Sequence, residues 1–392
     1  MKLRNLSPEV IKNKVVVIRV DFNVPLKNGI VQETTRIEET IPTLKLLLKN
    51  GAKKIHILTH VGRPKDGPDP SLSTKNLLPV LEKFLGEKVE HRADLTDGTG
   101  KIQLHENTRF WPGDQKSDPT FTDKLLKNLK PDIFVNDGFG VSHRGDASVV
   151  GLAKFVPAYP GLLVEKEVEA LSPFLTDKKV KGLTVLIGGV KMETKIPVLK
   201  HFAKIAENIL VGGALANTFE VAQGFDVGAS LYEKDFVETA REVMEEAEKY
   251  KTGVHLPVDF VCADDMESEK TVDAPIEDVG GDMKIFDIGP HTVASFTEIL
   301  RYSHTIIWNG PLGVMEKKPF SHGTHGILEA MRKLKAMGIT TILGGGDTLE
   351  ALKQWQVPSS EFSHVSTGGG AMLEFLAGEK LPGIEILKNV KG

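Results

Sequence analysis

Cysteine is almost missing from this sequence. The 392 residues include one, Cys262, which excludes an internal disulfide framework and a cysteine-based zinc site. A lone thiol of this kind reads as a small core residue, and such usage predicts a reducing, cytoplasmic setting. No apolar run approaches the roughly 18 residues that a membrane helix needs. Met1–Lys14 is polar and leads straight into a strand-like run, with no apolar signal-peptide region. Neither sign of charge dominates: 49 Lys and Arg stand against 53 Asp and Glu, a net charge of -4. Nucleic acid and anionic membrane are therefore not expected as partners. Low-complexity tracts and short-period repeats are absent. So are two phosphate-binding fingerprints, the Gly-x-x-x-x-Gly-Lys-Ser/Thr loop and the Gly-x-Gly-x-x-Gly turn of dinucleotide-dependent dehydrogenases.

What the chain does have is one repeating grammar. A short apolar, β-branched run stops at a glycine or a polar group, and an amphipathic segment follows. The spacing predicts strands over Val15–Val20, Lys54–Thr59, Ile102–Leu104, Asp132–Val135, Thr184–Ile187, Ile209–Val211, His255–Val258, Thr305–Trp308, Thr341–Leu343 and His364–Ser366. Helices are predicted over Glu38–Lys49, where Ile41, Leu44, Leu47 and Leu48 share a face, and over Ile196–Glu207, Gly326–Met337 and Leu349–Gln354. Strands alternating with helices predict an α/β protein, its parallel sheets covered by helices on both faces. In such sheets ligands bind beyond the carboxyl ends of the strands. The chemistry is thus expected where each apolar run stops.

Those stops divide the chain. In the first half they are charged or hydrogen-bonding: Asp21-Phe22-Asn23, His60-Val61-Gly62-Arg63, Arg109, and His143-Arg144, with Arg36 ahead of the first helix. One arginine in a loop is ordinarily a solvated charge. Arginines from several strand ends fall on one rim, and their forks match carboxylate or phosphate. Asp21 and Asn23 read either as turn residues or as acceptors for a substrate hydroxyl. In the second half the stops are glycines: Gly188-Gly189, Gly212-Gly213, Gly310, Gly344-Gly345-Gly346 and Gly368-Gly369-Gly370. Glycines there allow backbone amides to approach an anion, with a helix start behind them. Lys191 and Lys195, four apart, would share a helix face. Asp347 is placed to hold a divalent cation beside that anion, and Asn309 and Glu316 flank a turn that contacts a ribose or orders the loop. A helical tract, Leu162 to Leu171, lies between the halves. The residues alone thus describe two phospho-ligand sites, as in a phosphotransferase.

The motifs Arg19-Val20-Asp21-Phe22-Asn23-Val24-Pro25, His60-Val61-Gly62-Arg63-Pro64, Gly188-Gly189-Val190-Lys191, Leu256-Pro257-Val258-Asp259, Trp308 to Glu316, Gly344 to Thr348 and Ser363 to Gly370 occur in this order. The chain in this respect resembles the phosphoglycerate kinases over nearly its whole length. The resemblance implies two Rossmann-like lobes joined by an interdomain helix. An N-terminal lobe, residues 1–160, would bind phosphoglycerate. Residues 161–175 would form the hinge helix, and 176–377 a nucleotide-binding lobe. A tail, 378–392, would pack back on the first lobe. It implies a monomeric enzyme that passes a phosphoryl group between 1,3-bisphosphoglycerate and ADP, giving 3-phosphoglycerate and ATP, with Mg²⁺ accompanying the nucleotide. Carried over by residue, Asp21, Phe22, Asn23, Arg36, His60, Val61, Gly62, Arg63, Arg109 and Arg144 would bind phosphoglycerate. Lys191, Lys195, Asn309, Glu316, Gly345, Gly346, Asp347 and Thr348 would bind nucleotide, Asp347 would hold the metal, and Arg36 and Lys195 would be catalytic. Three positions depart from the common pattern: His105, where an apolar residue is usual; Gly138, where alanine is usual; and Ile285, near the adenine pocket, where glycine is common. A kinase of another small carboxylate, or a non-catalytic phospho-ligand binder, are the alternatives. The first is expected to lack the His60, Arg63, Arg109 and Arg144 set, the second to have lost Lys195, Asp347 or Arg36.

Overall fold

A computed structural model describes residues 1–65 and 67–389; positions 390–392 of the tail predicted above lie outside the described residues. The chain divides into two compact units, one of Met1–Ser172 with the stretch from Lys380 onward, the other of Pro173–Glu379.

The first unit is built on a six-stranded parallel sheet. Its strands are β1 (Val15–Arg19), β2 (Lys54–Leu58), β3 (Glu90–Arg92), β4 (Ile102–His105), β5 (Ile133–Asn136) and β6 (Ala158–Pro160), in the order β3-β4-β2-β1-β5-β6. β1 is central and almost wholly buried, as a strand covered on both faces must be. The chain moves outward from β1 through β2, then returns to its other side at β5. The strand ends on either side of β1 therefore form a switch point. Helices α1 (Thr35–Lys49), α2 (Leu78–Leu85), α3 (Pro119–Leu129) and α4 (Leu162–Leu171) accompany the sheet. Ile37, Ile41, Leu44 and Leu47 of α1 face the core with Val16, Ile18, Ile55 and Ile57. α1 starts three residues before the predicted Glu38, because the Thr34 hydroxyl donates to the Glu38 carboxylate across a polar first turn that apolar periodicity does not register. Arg36 consequently lies inside the helix rather than ahead of it.

α4 is anchored to this unit. Leu162 N–H donates to the Thr43 hydroxyl (2.9 Å), and the Asp137 carboxylate, at the end of β5, accepts from Leu163 N–H (3.0 Å). A buried carboxylate thus meets the unpaired amides of a helix start. Burial nonetheless pushes Asp137 up to about 7. The stretch after Lys380 also belongs here: Arg4 N–H donates to Leu387 O (2.9 Å), and Asn136 Nδ2 to Gly383 O (2.9 Å).

The second unit repeats the plan with β7 (Leu183–Ile187), β8 (Asn208–Val211), β9 (Gly253–His255), β13 (Thr305–Asn309), β14 (Thr340–Gly344) and β15 (His364–Ser366), parallel in the order β9-β8-β7-β13-β14-β15; a separate three-stranded antiparallel sheet pairs β10 (Asp259–Ala263) with β11 (Val272–Pro275) and β12 (Lys284–Ile288). Its helices are α5 (Met192–Ile205), α6 (Gly213–Gln223), α7 (Val237–Lys249), α8 (Pro290–Arg301), α9 (His322–Ala336), α10 (Gly346–Gln354) and α11 (Gly370–Leu376). The two parallel sheets are as expected, and the antiparallel sheet is an addition to them. The strand predicted over His255–Val258 is corrected. Pro257 falls in it, and proline supplies no ladder donor, so the strand ends at His255 and residues 256–258 form the connection between β9 and β10. Cys262 is buried in β10, as its composition predicted, and burial raises its thiol to about 11.

The first sheet carries an unusual buried pair. His56 of β2 and His105 of β4 are both fully buried, with His56 Nδ1 2.9 Å from His105 Nε2 and His105 Nδ1 3.1 Å from Asp94 O. A carbonyl can only accept, so His105 carries its proton on Nδ1 and His56 donates from its own Nδ1. Burial, helped by the neighbouring imidazole, holds His56 down to about 3; burial holds His105 at about 4. Both groups bind protons more weakly folded than unfolded. Their contribution is complete above the unfolded value of 6.5 and is lost as pH falls towards 4, at about 1.4 kcal/mol per unit of depression. Urea titrations at pH 7 and pH 4.5 should therefore show a smaller loss in the double variant His56→Val/His105→Leu than in the parent chain. Equal losses would exclude the pair as an acid-labile point.

Candidate active site

Four neighbouring strands of the first sheet, β4, β2, β1 and β5, end in the residues singled out above. The Asp21 carboxylate receives the Arg36 guanidinium at 2.7 Å. Asn23 Oδ1 accepts from Gly62 N–H (2.8 Å), tying the end of β1 to the end of β2. Arg109 Nη1 donates to Gly62 O, and Asn107 Nδ2 to Val61 O (2.7 Å), which adds the end of β4. These bonds gather Asp21, Asn23, Gly62 and Arg109 from separate strand ends and Arg36 from the start of α1, while the His60 ring lies against Arg19, Nδ1 to Nη2 at 3.1 Å. Arg144 acts on both His60 and Arg109 through its charge. Arg63 is exposed. Phe22 and Val61, in contrast, pack into the hydrophobic core, and offer a ligand only their backbone.

The electrostatics of this rim are those of crowded cations. Burial, with Arg144, Arg19 and Arg63 adding repulsion, lowers Arg109 to about 10. Burial and then Arg19, Arg109, Arg144 and Arg36 push His60 well below its usual value. The buried Nε groups of Arg109 and Arg144 have no hydrogen-bond partner among the described residues. Unpaired buried donors are costly, and an anion would satisfy them. Arg19 is the residue the sequence reading passed over. It was quoted as part of a motif, but being the last residue of a strand it gave no sign that its guanidinium is fully buried beneath His60.

The second unit has its switch point between β7 and β13. Lys195, one turn into α5, is 8% exposed and donates to Asn309 Oδ1 at the end of β13. Asn309 Nδ2 in turn donates to Gly344 O (2.9 Å), at the end of β14. Asn309 is fully buried and orders the loop. Burial lowers Lys195 to about 8, with Asp347 pulling it back upward. Gly345, the residue before α10, has φ 101°, and a Cβ there would lie 2.9 Å from Asn309 Nδ2, so a side chain would be strained and would also press on the partner of Lys195. Gly346, Asp347 and Thr348 form the first turn of α10, where amides lack intrahelical partners. Lys191 and Glu316 are exposed.

Two expectations about this unit change. Thr348 is fully buried and its hydroxyl oxygen accepts from Gly310 N–H (2.8 Å); its amide is the group left for an anion. Most of the glycine stops are also not cradles. Gly188 N–H donates to Asn309 O (2.8 Å), Gly189 N–H to Pro311 O (2.7 Å) and Gly213 N–H to Leu312 O (3.1 Å). These glycines let three turns pack backbone to backbone, whereas the α10 start has its first-turn amides near Lys195. Next to it is a narrow apolar slot lined by Ala214, Phe260, Ile285, Phe286, Leu312 and Val314. Its walls come from several elements, so no local motif announced it, although Ile285 had been singled out. A roomier groove elsewhere in the unit is lined by exposed Glu269, Asp273 and Lys318, mixed solvated charges away from the switch point.

For a metal, the donor set is a single carboxylate: among the described residues no three His, Cys, Asp or Glu side chains are grouped to hold an ion. One carboxylate suits Mg²⁺ that arrives with nucleotide phosphates and keeps several waters.

Two anion-fitted switch points on such a fold suit a phosphotransferase, and the family that the chain matches makes it a kinase with a carboxyl group as acceptor. Residues 6–379 match the family described as phosphoglycerate kinase. The chain belongs to the phosphoglycerate kinase family. It is 41% identical to the phosphoglycerate kinase of Fervidobacterium nodosum over 393 residues, 97% of each chain, and 41% identical to that of Finegoldia magna over 401 residues, 99% of each. Among solved structures, the phosphoglycerate kinase of Coxiella burnetii superposes with a TM-score of 0.87 at 37% identity, covering 98% of both chains. The crystal structure from Pyrococcus horikoshii gives 0.80 at 31% identity, covering 96% of both.

Proposed function

We propose that the chain catalyses the reversible transfer of the acyl phosphate of 1,3-bisphosphoglycerate to ADP, giving 3-phosphoglycerate and ATP. The first unit binds the phosphoglycerate and the second the nucleotide. One observation carries this assignment: Arg19 and Arg109, both buried, crowd the first switch point with Arg144, and the Nε groups of Arg109 and Arg144 have no hydrogen-bond partner among the described residues. The second offers one lysine, helix-start amides and an apolar slot. A small polyanion fits the former, and a nucleotide the latter. Asn23 and Asp21 then accept from the substrate hydroxyl, while Arg36, His60, Arg63, Arg109 and Arg144 donate to its phosphate and carboxylate. Lys195 and the amides of Gly346, Asp347 and Thr348 take the nucleotide phosphates, Lys191 lies beside them, and Glu316 is the residue for the ribose.

In the ATP-consuming direction the nucleophile is a carboxylate, ionised at neutral pH. It needs no general base. The remaining work is to align the reactants and neutralise charge on the moving phosphoryl group. Arg36 and Lys195 are the groups for that. Asp347 would hold Mg²⁺, which when bound neutralises part of the phosphate charge. Direct transfer requires the two ligands to meet, so hinge closure, which also excludes water from the acyl phosphate, is part of the proposal. The protein acts as a cytoplasmic monomer on the same reading.

A coupled assay with 3-phosphoglycerate and MgATP should show turnover. In Asp347→Ala, calorimetry should show MgADP binding weakened at least about tenfold with 3-phosphoglycerate binding unchanged. Loss of phosphoglycerate affinity with nucleotide affinity retained would mean that the two units are assigned the wrong way round.

A further inference from the structure

His60 has two ring nitrogens, and the structure settles which one can hold a proton. Arg19, the last residue of β1, is fully buried. Its Nη1 donates to Val20 O (3.0 Å) and Leu58 O (3.3 Å), which fixes the plane of the guanidinium. Its Nη2 lies 3.1 Å from His60 Nδ1. A guanidinium has no acceptor and does not deprotonate in a protein. Nδ1 of His60 must therefore supply a lone pair, and the ring proton must sit on Nε2. His60 is 3% exposed, and its Nε2 has no partner among the described residues.

We propose that Arg19 is a positioning residue that locks His60 in the neutral Nε2–H form, making it a one-way hydrogen-bond donor to the bound anion. The inference rests on the assignment of phosphoglycerate to the first unit. Protonating His60 would set an Nδ1–H against the Arg19 N–H, losing a hydrogen bond and adding repulsion. The charges that act most strongly on the ring are Arg19 from β1, Arg109 after β4, Arg144 after β5 and Arg36 from α1, all positive; Asp21 is paired with Arg36, and Asp146 offsets part of the charge of Arg19 and Arg109. The arginines oppose an imidazolium as well. The site thus obtains a donor that does not switch with pH. A free histidine would lose its fixed direction by tautomer exchange above pH 6.5 and gain charge below it.

The test needs only the full chain labelled with ¹⁵N. Long-range ¹H–¹⁵N imidazole spectra, with His60 assigned by its absence in His60→Gln, report tautomer and protonation directly. The expected result is an Nε2–H ring with no titration between pH 5.5 and 8.5. An Nδ1–H ring, or a titration midpoint near 6.5, would overturn the proposal without any variant of Arg19. In Arg19→Gln the carboxamide can turn its oxygen toward Nδ1. The ring should then exchange tautomers and titrate, and KM for 3-phosphoglycerate should rise about tenfold with KM for ATP unchanged. Arg19→Lys, which can only donate, should keep the Nε2–H form. A folded Arg19→Gln protein with an unchanged His60 spectrum would defeat the lock. Failure of the substrate assignment has a different signature: 3-phosphoglycerate added to the parent chain would leave the His60 resonances unmoved.

Discussion

Lys195→Met should lower kcat by about three orders of magnitude in a protein that stays folded, because one preorganised charge aimed at the reacting group is worth roughly 10²–10³ or more. The fold gives the expectation its force. Lys195 is buried and held on Asn309, itself fixed to the Gly344 carbonyl, so its ammonium needs little reorganisation when a phosphoryl group arrives. Methionine keeps most of the volume while removing the charge and the donor to Asn309 Oδ1. Because burial brings Lys195 to about 8, the free enzyme should also lose kcat/KM for nucleotide as pH rises through about 8, where the ammonium deprotonates. Lys195→Arg, always charged, should flatten that limb even if it turns over slowly. Stopped-flow or coupled kinetics over pH 6–9.5 decides the matter. A methionine variant within about tenfold of the parent would remove Lys195 from the mechanism.

Arg36→Ala should cost a comparable factor, about 10³ in kcat/KM for phosphoglycerate, for two reasons that can be separated. The first is the lost positive charge at the acceptor carboxylate. The second is Asp21, which is 7% exposed and has the Arg36 guanidinium 2.7 Å away. Without that partner its charge stands uncompensated where an anion must bind. Asp21→Asn keeps an acceptor for the substrate hydroxyl and removes the repulsion. The double variant Arg36→Ala/Asp21→Asn should therefore recover about tenfold over Arg36→Ala, a non-additivity expected of residues in contact. Strict additivity of the two substitutions would show that Asp21 and Arg36 act independently in catalysis.

The alternation of apolar runs with amphipathic segments made the two parallel sheets legible, because a strand buried on both faces must be apolar along its length. β1 and β7 are the plain cases. The edge strands of the first sheet were not legible: Glu90-His91-Arg92 is polar, and Ala158-Tyr159-Pro160 is short and ends in proline. The antiparallel sheet escaped for a related reason. β11 is largely exposed and β12 half so, which leaves no continuous apolar run to find. In the candidate sites, residue types at strand ends identified the arginine rim and Lys195. They did not separate glycines that cradle an anion from glycines that let turns pack, since Gly188 and Gly346 look alike until their amides are followed to a partner. Nor could they show that Thr348 and Asn309 face inward, or that Arg19 lies under His60.

The return of the chain after Lys380 has a consequence for how the protein is made. The first unit is discontinuous in sequence. Leu3 bridges Lys388, and Asn136, at the head of β5, bonds the carbonyl of Gly383. The second unit is in effect an insertion between two parts of the first. On the ribosome, domains close in the order in which their residues emerge. Here the unit that begins the chain cannot be completed until the residues after Lys380 have been synthesised, while the inserted unit already has all of its own. The bridge between Leu3 and Lys388 also brings these two stretches together, the arrangement in which a peptide link between them and a new opening in a surface loop are best tolerated.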